Sequence, residues 1–248
     1  MAEKQAPKKT TKRATASKNV LSIDIGGSGL KLRVLDPQGQ PLSERLRTET
    51  PQPADPEAVL NALAYLIDQV TQPYGYVSVG FPGVVRHGVI YTAVNLNPAW
   101  EGFNLAEVLE IRLKCPVRVA NDADIQGYGA IQGKGLEMVL TLGTGMGAAL
   151  FTNGHLVPNL ELGHHPFRKG QTYEEQLGRA ALDLVGKKTW NKRLLKAIDL
   201  LQRIFNFDTL YIGGGNAKRI DPGQLPPGVE IISNEAGILG GAVLWRDH

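Results

Sequence analysis

The sequence lacks the residues that build stapled or metal-bound scaffolds. It has one cysteine, Cys115, in 248 residues, so no intrachain disulfide can form. No Cys pair or His-rich cluster has the spacing of a structural zinc site. A lone Cys in an apolar stretch reads as a small buried hydrophobe. No apolar run approaches the roughly 20 residues that cross a bilayer, so no membrane partner is expected. The N-terminus has no apolar core, so it does not read as a secretory signal. Together these absences point to the cytoplasm. Aromatic residues are only 6% of the chain and are not interleaved with basic ones in a nucleic-acid-reading motif, so no nucleic-acid partner is expected.

What is present is ordinary for a globular protein: 42% hydrophobic and 21% charged residues, enough for one domain or two small lobes. The net charge of +3 is unevenly placed. Residues 1–18 hold six basic residues against Glu3, which leaves 21 basic and 23 acidic residues, a net of −2, in the remainder. The arm 1–18 has almost no large apolar residues and is expected to be disordered, serving as a solubilising tail or as a tether for a polyanion.

Folding signals begin at Asn19. A β-rich run at 20–25 and an alternating run at 30–36 flank Gly26-Gly27-Ser28-Gly29, which predicts a hairpin. A third strand falls within 41–50, and a helix from Asp55 or Pro56 to about 71. Strands follow at 76–81 and 117–120, with a helix at 104–113 between them. The second half restarts with strands at 138–142 and 148–151 around Gly143-Thr144-Gly145-Met146-Gly147. Helices are expected at 173–185 and 189–206, a strand at 209–212 entering Gly213-Gly214-Gly215, and a final helix over 234–245. Two halves that each open strand–glycine turn–strand suggest an architectural duplication, split as 19–120 and 121–248, with the final helix free to pack back on the first lobe. A cleft between such lobes is a natural ligand site.

Glycines let backbone N–H groups approach an anion closely. Gly26, Gly27, Ser28 and Gly29 in one turn, and Gly143, Thr144, Gly145 and Gly147 in the other, are therefore candidates for holding phosphate, with Lys31 adding charge. Neither turn has P-loop spacing, and strands rather than helices follow them. Either alone reads as well as a ligand-free hairpin. Asp24, at the end of the first strand, is placed to hold magnesium, directly or through water, beside a phosphate chain. Gly214 and Gly215 form either a packing turn or the floor of a donor site.

Asn121-Asp122-Ala123-Asp124 follows an apolar strand, where polar residues point into the crevice of an open α/β sheet. A carboxylate there can take a hydroxyl proton, and the adjacent amide can orient the hydroxyl. The same residues also make good helix N-caps, Asp124 best of all. Glu161 and His164 supply directional bonds suited to a polyol. Asn95, Asn97 and Trp100 are candidates for a sugar subsite. Lys187, Lys188, Lys192, Arg193, Lys196 and Arg203 read either as a solvated helix face or as a groove for a polyanion.

Taken in order, these motifs resemble the ROK family of sugar kinases and, within it, the polyphosphate glucokinase branch. The resemblance rests on Asp24 to Lys31, Val79-Gly80-Phe81-Pro82-Gly83-Val84-Val85, Asn121 to Asp124, Leu140 to Gly147, Asn159 to His164 and Gly213 to Gly215. It implies an α/β, actin/hexokinase-like (ribonuclease H-like) fold of two lobes about a central cleft. It implies transfer of a terminal phosphoryl group from inorganic polyphosphate, and from ATP as a second donor, to the 6-hydroxyl of glucose. Asp122 would be the base. Asn121, Glu161, His164, Glu174, Gly83 and Asn97 would line the sugar site, Glu175 competing with Glu174. The glycine turns and Asp24 would hold donor and Mg²⁺. The family's zinc-binding Cys-x-Cys-Gly segment is replaced by His165 to Gly170, so no zinc is expected. A homodimer is a further expectation of the resemblance. An arm of 18 residues is too short for the helix-turn-helix of the family's repressors. An ATP-dependent kinase of glucose, mannose or another hexose is the alternative, and a non-catalytic sugar sensor or an actin-like ATPase are readings from other classes.

Overall fold

The computed structural model describes residues 17–93, 96–233 and 239–246. Residues 1–16 of the basic arm, Asn95, and positions 234–238 of the expected final helix lie outside them.

β1 (Val20–Ile25) and β2 (Leu30–Leu35) form the expected hairpin, with Asp24 opposite Lys31. Alternation in β2 buries Leu30, Leu32 and Val34 completely and turns Lys31 and Arg33 away from that core. β3 (Leu46–Thr48) adds an edge strand with Arg47 opposite Lys31. It is shorter than the 41–50 run because the Ser43 hydroxyl, not a backbone carbonyl, accepts the Val34 N–H at 3.0 Å. α1 (Pro56–Ile67) starts at an Asp55 cap that accepts the Ala58 N–H, and it buries Val59, Leu60, Leu63 and Leu66. β4 (Tyr76–Phe81) runs parallel to β1. After the small hairpin β5 (Val85–Arg86) and β6 (Val89–Ile90), α2 (Leu105–Leu113) leads to β7 (Val117–Asn121), parallel to β4. The sheet order is β3-β2-β1-β4-β7.

α3 (Asp122–Tyr128) then packs on β4 and β7 of this sheet and on β8 (Leu136–Leu142) and β9 (Met146–Thr152) of the next. β10 (His155–Val157) completes the second hairpin. A small ladder of β11 (Pro166–Arg168) and β12 (Gln171–Thr172) precedes α4 (Tyr173–Leu177), α5 (Arg179–Phe205), β13 (Thr209–Gly213) and β14 (Val229–Ile231). The order β10-β9-β8-β13-β14 repeats the first sheet's pattern of two antiparallel and two parallel pairings. Each sheet has its own apolar core, one centred on Leu21, Leu63 and Trp100, the other on Leu140, Trp190 and Leu210.

Two helical expectations are corrected. The break expected after 185 falls earlier: α4 stops at Leu177, extended Gly178 follows, and α5 runs on through a kink at Gly186 (φ 73°, ψ 161°). The C-terminal stretch departs from an α-helix only after Leu239, which is α-helical: Gly240–Trp245 is a 3₁₀ helix. It lies on the first sheet, where the Ser78 hydroxyl donates to the Gly241 carbonyl at 2.6 Å and Trp245 Nε1–H donates to Ser78 Oγ at 2.9 Å. Side chains at 240 and 241 would overlap the Ile125 carbonyl and the Ser22 hydroxyl, so glycine is what allows this contact.

Candidate active site

The carboxyl ends of β1, β4, β7, β8 and β13 open on one cleft of about 730 Å³. Asp122 lies on its floor, at the first turn of the helix that touches both sheets. Burial pushes the Asp122 carboxyl up to about 7, with the charge of Asp24 the next largest cause. Hydrogen bonding from the Ala123 N–H opposes that shift. Glu161 is likewise raised, chiefly by burial, with His164 opposing. A carboxylate poised near neutrality at the floor of a cleft suits proton abstraction.

Asn121, not Asp124, caps α3. Its Oδ1 accepts from the N–H groups of Ala123 (2.8 Å) and Asp124 (3.4 Å), and its Nδ2 donates to the Gly83 carbonyl (3.1 Å) and to Glu161 Oε1 (3.4 Å). The amide thus fastens three segments around Asp122. Gly83 owes its identity to crowding, since a Cβ there would overlap the Thr92 carbonyl. Asp124 is 2% exposed and points away from the role of a cap: its Oδ2 accepts the Asn159 N–H at 3.3 Å, and Oδ1 has no partner among the described residues.

On the second-sheet side, Glu161 and His164 meet across a 3₁₀ turn, Oε2 to Nε2, at 3.4 Å. Glu174 lines the cleft beside them, whereas Glu175 is spent in a capping box with Thr172. Of these two residues it is Glu174 that the structure places in the cleft. Glu174 Oε2 accepts the Met146 N–H at 3.1 Å, fastening the second glycine turn.

Around the glycine turns, Gly26, Gly27, Ser28, Gly143, Thr144, Gly145 and Gly147 all line the cleft. Gly29 does not. It faces β3, where a Cβ would come within 3.2 Å of Arg47 Nε. Gly214 and Gly215 join the same wall. Gly214 has φ +88°, and Asn216 ties the cluster to the second turn through Nδ2–H to the Gly143 carbonyl at 2.7 Å. Lys31 pairs with Asp24 at 2.7 Å.

Asn97 does not line the cleft. It caps the 3₁₀ turn Pro98–Trp100, accepting the Ala99 N–H at 2.9 Å. Trp100 is fully buried, with its indole N–H on the Ala54 carbonyl. Nor does the basic run 187–203 line it. Lys187, Lys188, Lys192 and Lys196 are exposed on α5, and Arg203 pairs with Asp199. The cations that do line the cleft besides Lys31 are Arg45, Arg47, Arg179 and Lys218, none of which the motif reading singled out. The available signal was the alternation Arg45-Leu46-Arg47, which puts two guanidinium groups on one strand face.

A model of the ROK family matches residues 20–174. A polyphosphate glucokinase of Mycobacterium tuberculosis is 34% identical over 252 residues, covering 93% of this chain and 92% of its own. A glucokinase of Streptomyces coelicolor is 32% identical over 158 residues, 58% of this chain and 48% of its own. Among solved structures, an inorganic polyphosphate/ATP-glucomannokinase from Arthrobacter sp. strain KM aligns with a TM-score of 0.84 at 34% identity, covering 92% of this chain and 98% of that one. A ROK family glucokinase from Streptomyces griseus, in complex with glucose and AMPPNP, aligns with a TM-score of 0.76 over 91% of this chain and 98% of its own. At 19% identity that second likeness bears on the fold alone. The architecture is the α/β, actin/hexokinase-like one that the sequence resemblance implied.

Proposed function

The chain belongs to the ROK family, and from that membership we propose that it is a glucokinase whose preferred phosphoryl donor is inorganic polyphosphate. The observation that carries this reading is the lining of the cleft: two glycine turns share it with the acids Asp24, Asp122, Glu161 and Glu174 and with the cations Lys31, Arg45, Arg47, Arg179 and Lys218. No Phe, Tyr or Trp lines the cleft among the described residues, so it offers no aromatic face on which a purine would stack.

In the proposed reaction the sugar hydroxyls bond to Glu161, His164 and Glu174. The Asp122 carboxylate takes the proton of the 6-hydroxyl as that oxygen attacks the terminal phosphorus. The new O–P bond forms as the bond from phosphorus to the bridging oxygen breaks in line, and the donor leaves one phosphate shorter. Backbone N–H groups and the hydroxyls of Ser28 and Thr144 surround the transferred group, so the protein contributes position and charge rather than covalent chemistry.

Magnesium fits such a site as the donor's companion. Among the described residues no three acids or histidines gather as a metal cage, yet Mg²⁺ is typically held by one or two carboxylates plus substrate phosphates. Asp24, beside Asp122, is the carboxylate that would hold it, and the ion would neutralise charge on the phosphates.

The test is glucose 6-phosphate formation by the purified chain with glucose and magnesium, comparing polyphosphate with ATP at matched phosphate concentration. Product formed mainly from polyphosphate is expected. Equal or greater turnover with ATP would overturn the donor assignment, and sugar binding without product from either donor would make the protein a sensor.

A further inference from the structure

Three cations in the cleft, Arg45, Arg47 and Lys218, lack a protein partner among the described residues, and two of them, Arg45 and Arg47, stand side by side. Lys31 is matched by Asp24 at 2.7 Å and Arg179 by Asp183 at 2.8 Å. Arg45 and Arg47 make no side-chain ion pair or hydrogen bond among the described residues, although both line the cleft. Arg47 lies in β3, the edge strand of the first sheet, and Arg45 immediately precedes that strand; the two flank Leu46 and both reach the cleft. Arg47 stands opposite Lys31 in the ladder and lies over Gly29 of the first glycine turn. Lys31, Arg47 and Arg45 therefore form a row that starts at the phosphate cradle and leads outward along the strand.

Like charges held this close repel, and unless a ligand compensates them the arrangement has no structural benefit. A ligand that fits must carry negative charge at regular short intervals and continue past the reacting group. A nucleoside triphosphate does not: its charge ends at the third phosphate, and a ribose and base follow. A linear phosphate polymer does, because every unit adds a charge and oxygens that a guanidinium can take bidentately.

We propose that Arg45 and Arg47 form an outer donor subsite that binds the phosphates beyond the one being transferred, so that this enzyme selects polyphosphate by chain length. The inference rests on the polyphosphate reading given above and adds to it the residues that read the donor. The subsite belongs to the first sheet, so it sits on the same rigid element as Asp24 and the first glycine turn. A chain held there enters the cradle end-on, with its terminal phosphoryl group toward Asp122.

The experiment measures initial rates at saturating glucose with tripolyphosphate, with polyphosphates of increasing defined length, and with ATP. It compares the unaltered protein with Arg45→Gln/Arg47→Gln and Arg45→Lys/Arg47→Lys double variants. In the unaltered protein KM per chain is expected to fall as the chain lengthens, and to rise steeply with salt. In the Gln double variant this length dependence should vanish, with KM for the longest chain up about tenfold or more, as loss of charge-assisted bonds implies. The Lys variant should recover part of the length dependence, because charge is kept and the bidentate fork lost. A Gln variant that keeps the length dependence, with KM for long chains within twofold of the unaltered protein, overturns the subsite. Unaltered protein that uses ATP but no polyphosphate of any length overturns the donor reading itself, and the two failures are distinct. Glucose binding followed by intrinsic fluorescence confirms that both variants are folded.

Discussion

Glu174 Oε2 accepts the Met146 backbone N–H at 3.1 Å, so a carboxylate proposed to bind sugar also fastens a glycine turn proposed to hold the donor. The fit is close: a Cβ on Gly145 would overlap that carboxylate. Replacing Glu174 with Ala should therefore raise KM for glucose and for the donor together, each by roughly tenfold, the worth of a lost charged hydrogen bond. Glu174→Gln, which keeps an acceptor for Met146, should spare donor KM more than glucose KM. Steady-state kinetics with both substrates varied will separate these patterns. A change confined to glucose in the Ala variant would show that the bond to Met146 is dispensable for the donor.

Activity should depend on the charge state of the cleft floor. Asp122 must be ionised to take a proton, and its carboxyl is pushed up to about 7 by burial and by Asp24. kcat/KM for glucose should consequently be flat above about pH 7.5 and fall toward tenfold per unit below the midpoint near 7. Glu161 and Asp124 lie close enough to contribute, so the midpoint belongs to the cluster rather than to one group. A profile that stays flat down to pH 5 would mean that the base ionises at its ordinary value.

Asp124 makes a prediction about stability instead. Its carboxyl is pushed up to about 7 from the usual 3.8, mainly by burial, and one oxygen has no partner among the described residues. A folded-state value above the unfolded one means that the folded protein binds the extra proton between these limits. Stability is therefore lost as pH rises from about 4 through 7. Asp124→Asn keeps an acceptor for the Asn159 N–H and removes the titration. The variant should be more stable than the unaltered protein at pH 8, by up to about 4 kcal/mol, and nearly equal to it at pH 4. Urea unfolding at both pH values decides it, and a variant that is less stable at pH 8 would show that the charged carboxylate is favoured where it sits.

Much of this arrangement was legible in the sequence because it is local. Runs such as Val20–Ile25 and Tyr76–Phe81 are apolar enough to be recognised as buried strands, and the glycines that follow them mark turns that line the cleft. The place of Asp122 in the cleft was legible because polar residues after a buried strand of an open α/β sheet point into the crevice, although the same position also suits a helix start. What was not legible depends on long-range register. Arg45 and Arg47 carry no motif. They reach the cleft only because β3 pairs with β2 and sets Arg47 opposite Lys31. Conversely, the cations of 187–196 form a dense run in one dimension, yet α5 turns Lys187, Lys188, Lys192 and Lys196 to solvent while Trp190, Leu194 and Ala197 fill the core. Asn97 next to a Trp looked like a sugar subsite, but both serve the packing of the first lobe. The 3₁₀ part of the final segment rests on the first sheet through Ser78, a long-range contact that no local signal announces.

The most direct measurement is the turnover of Asp122→Asn in the presence of glucose, magnesium and polyphosphate, alongside its glucose Kd. The substitution preserves shape and the helix start, which Asn121 caps independently. kcat should fall by roughly 10²–10⁴ while glucose Kd stays within about threefold, because a base acts on the transition state more than on binding. A variant that keeps kcat within about tenfold would contradict the assignment of Asp122 as the base.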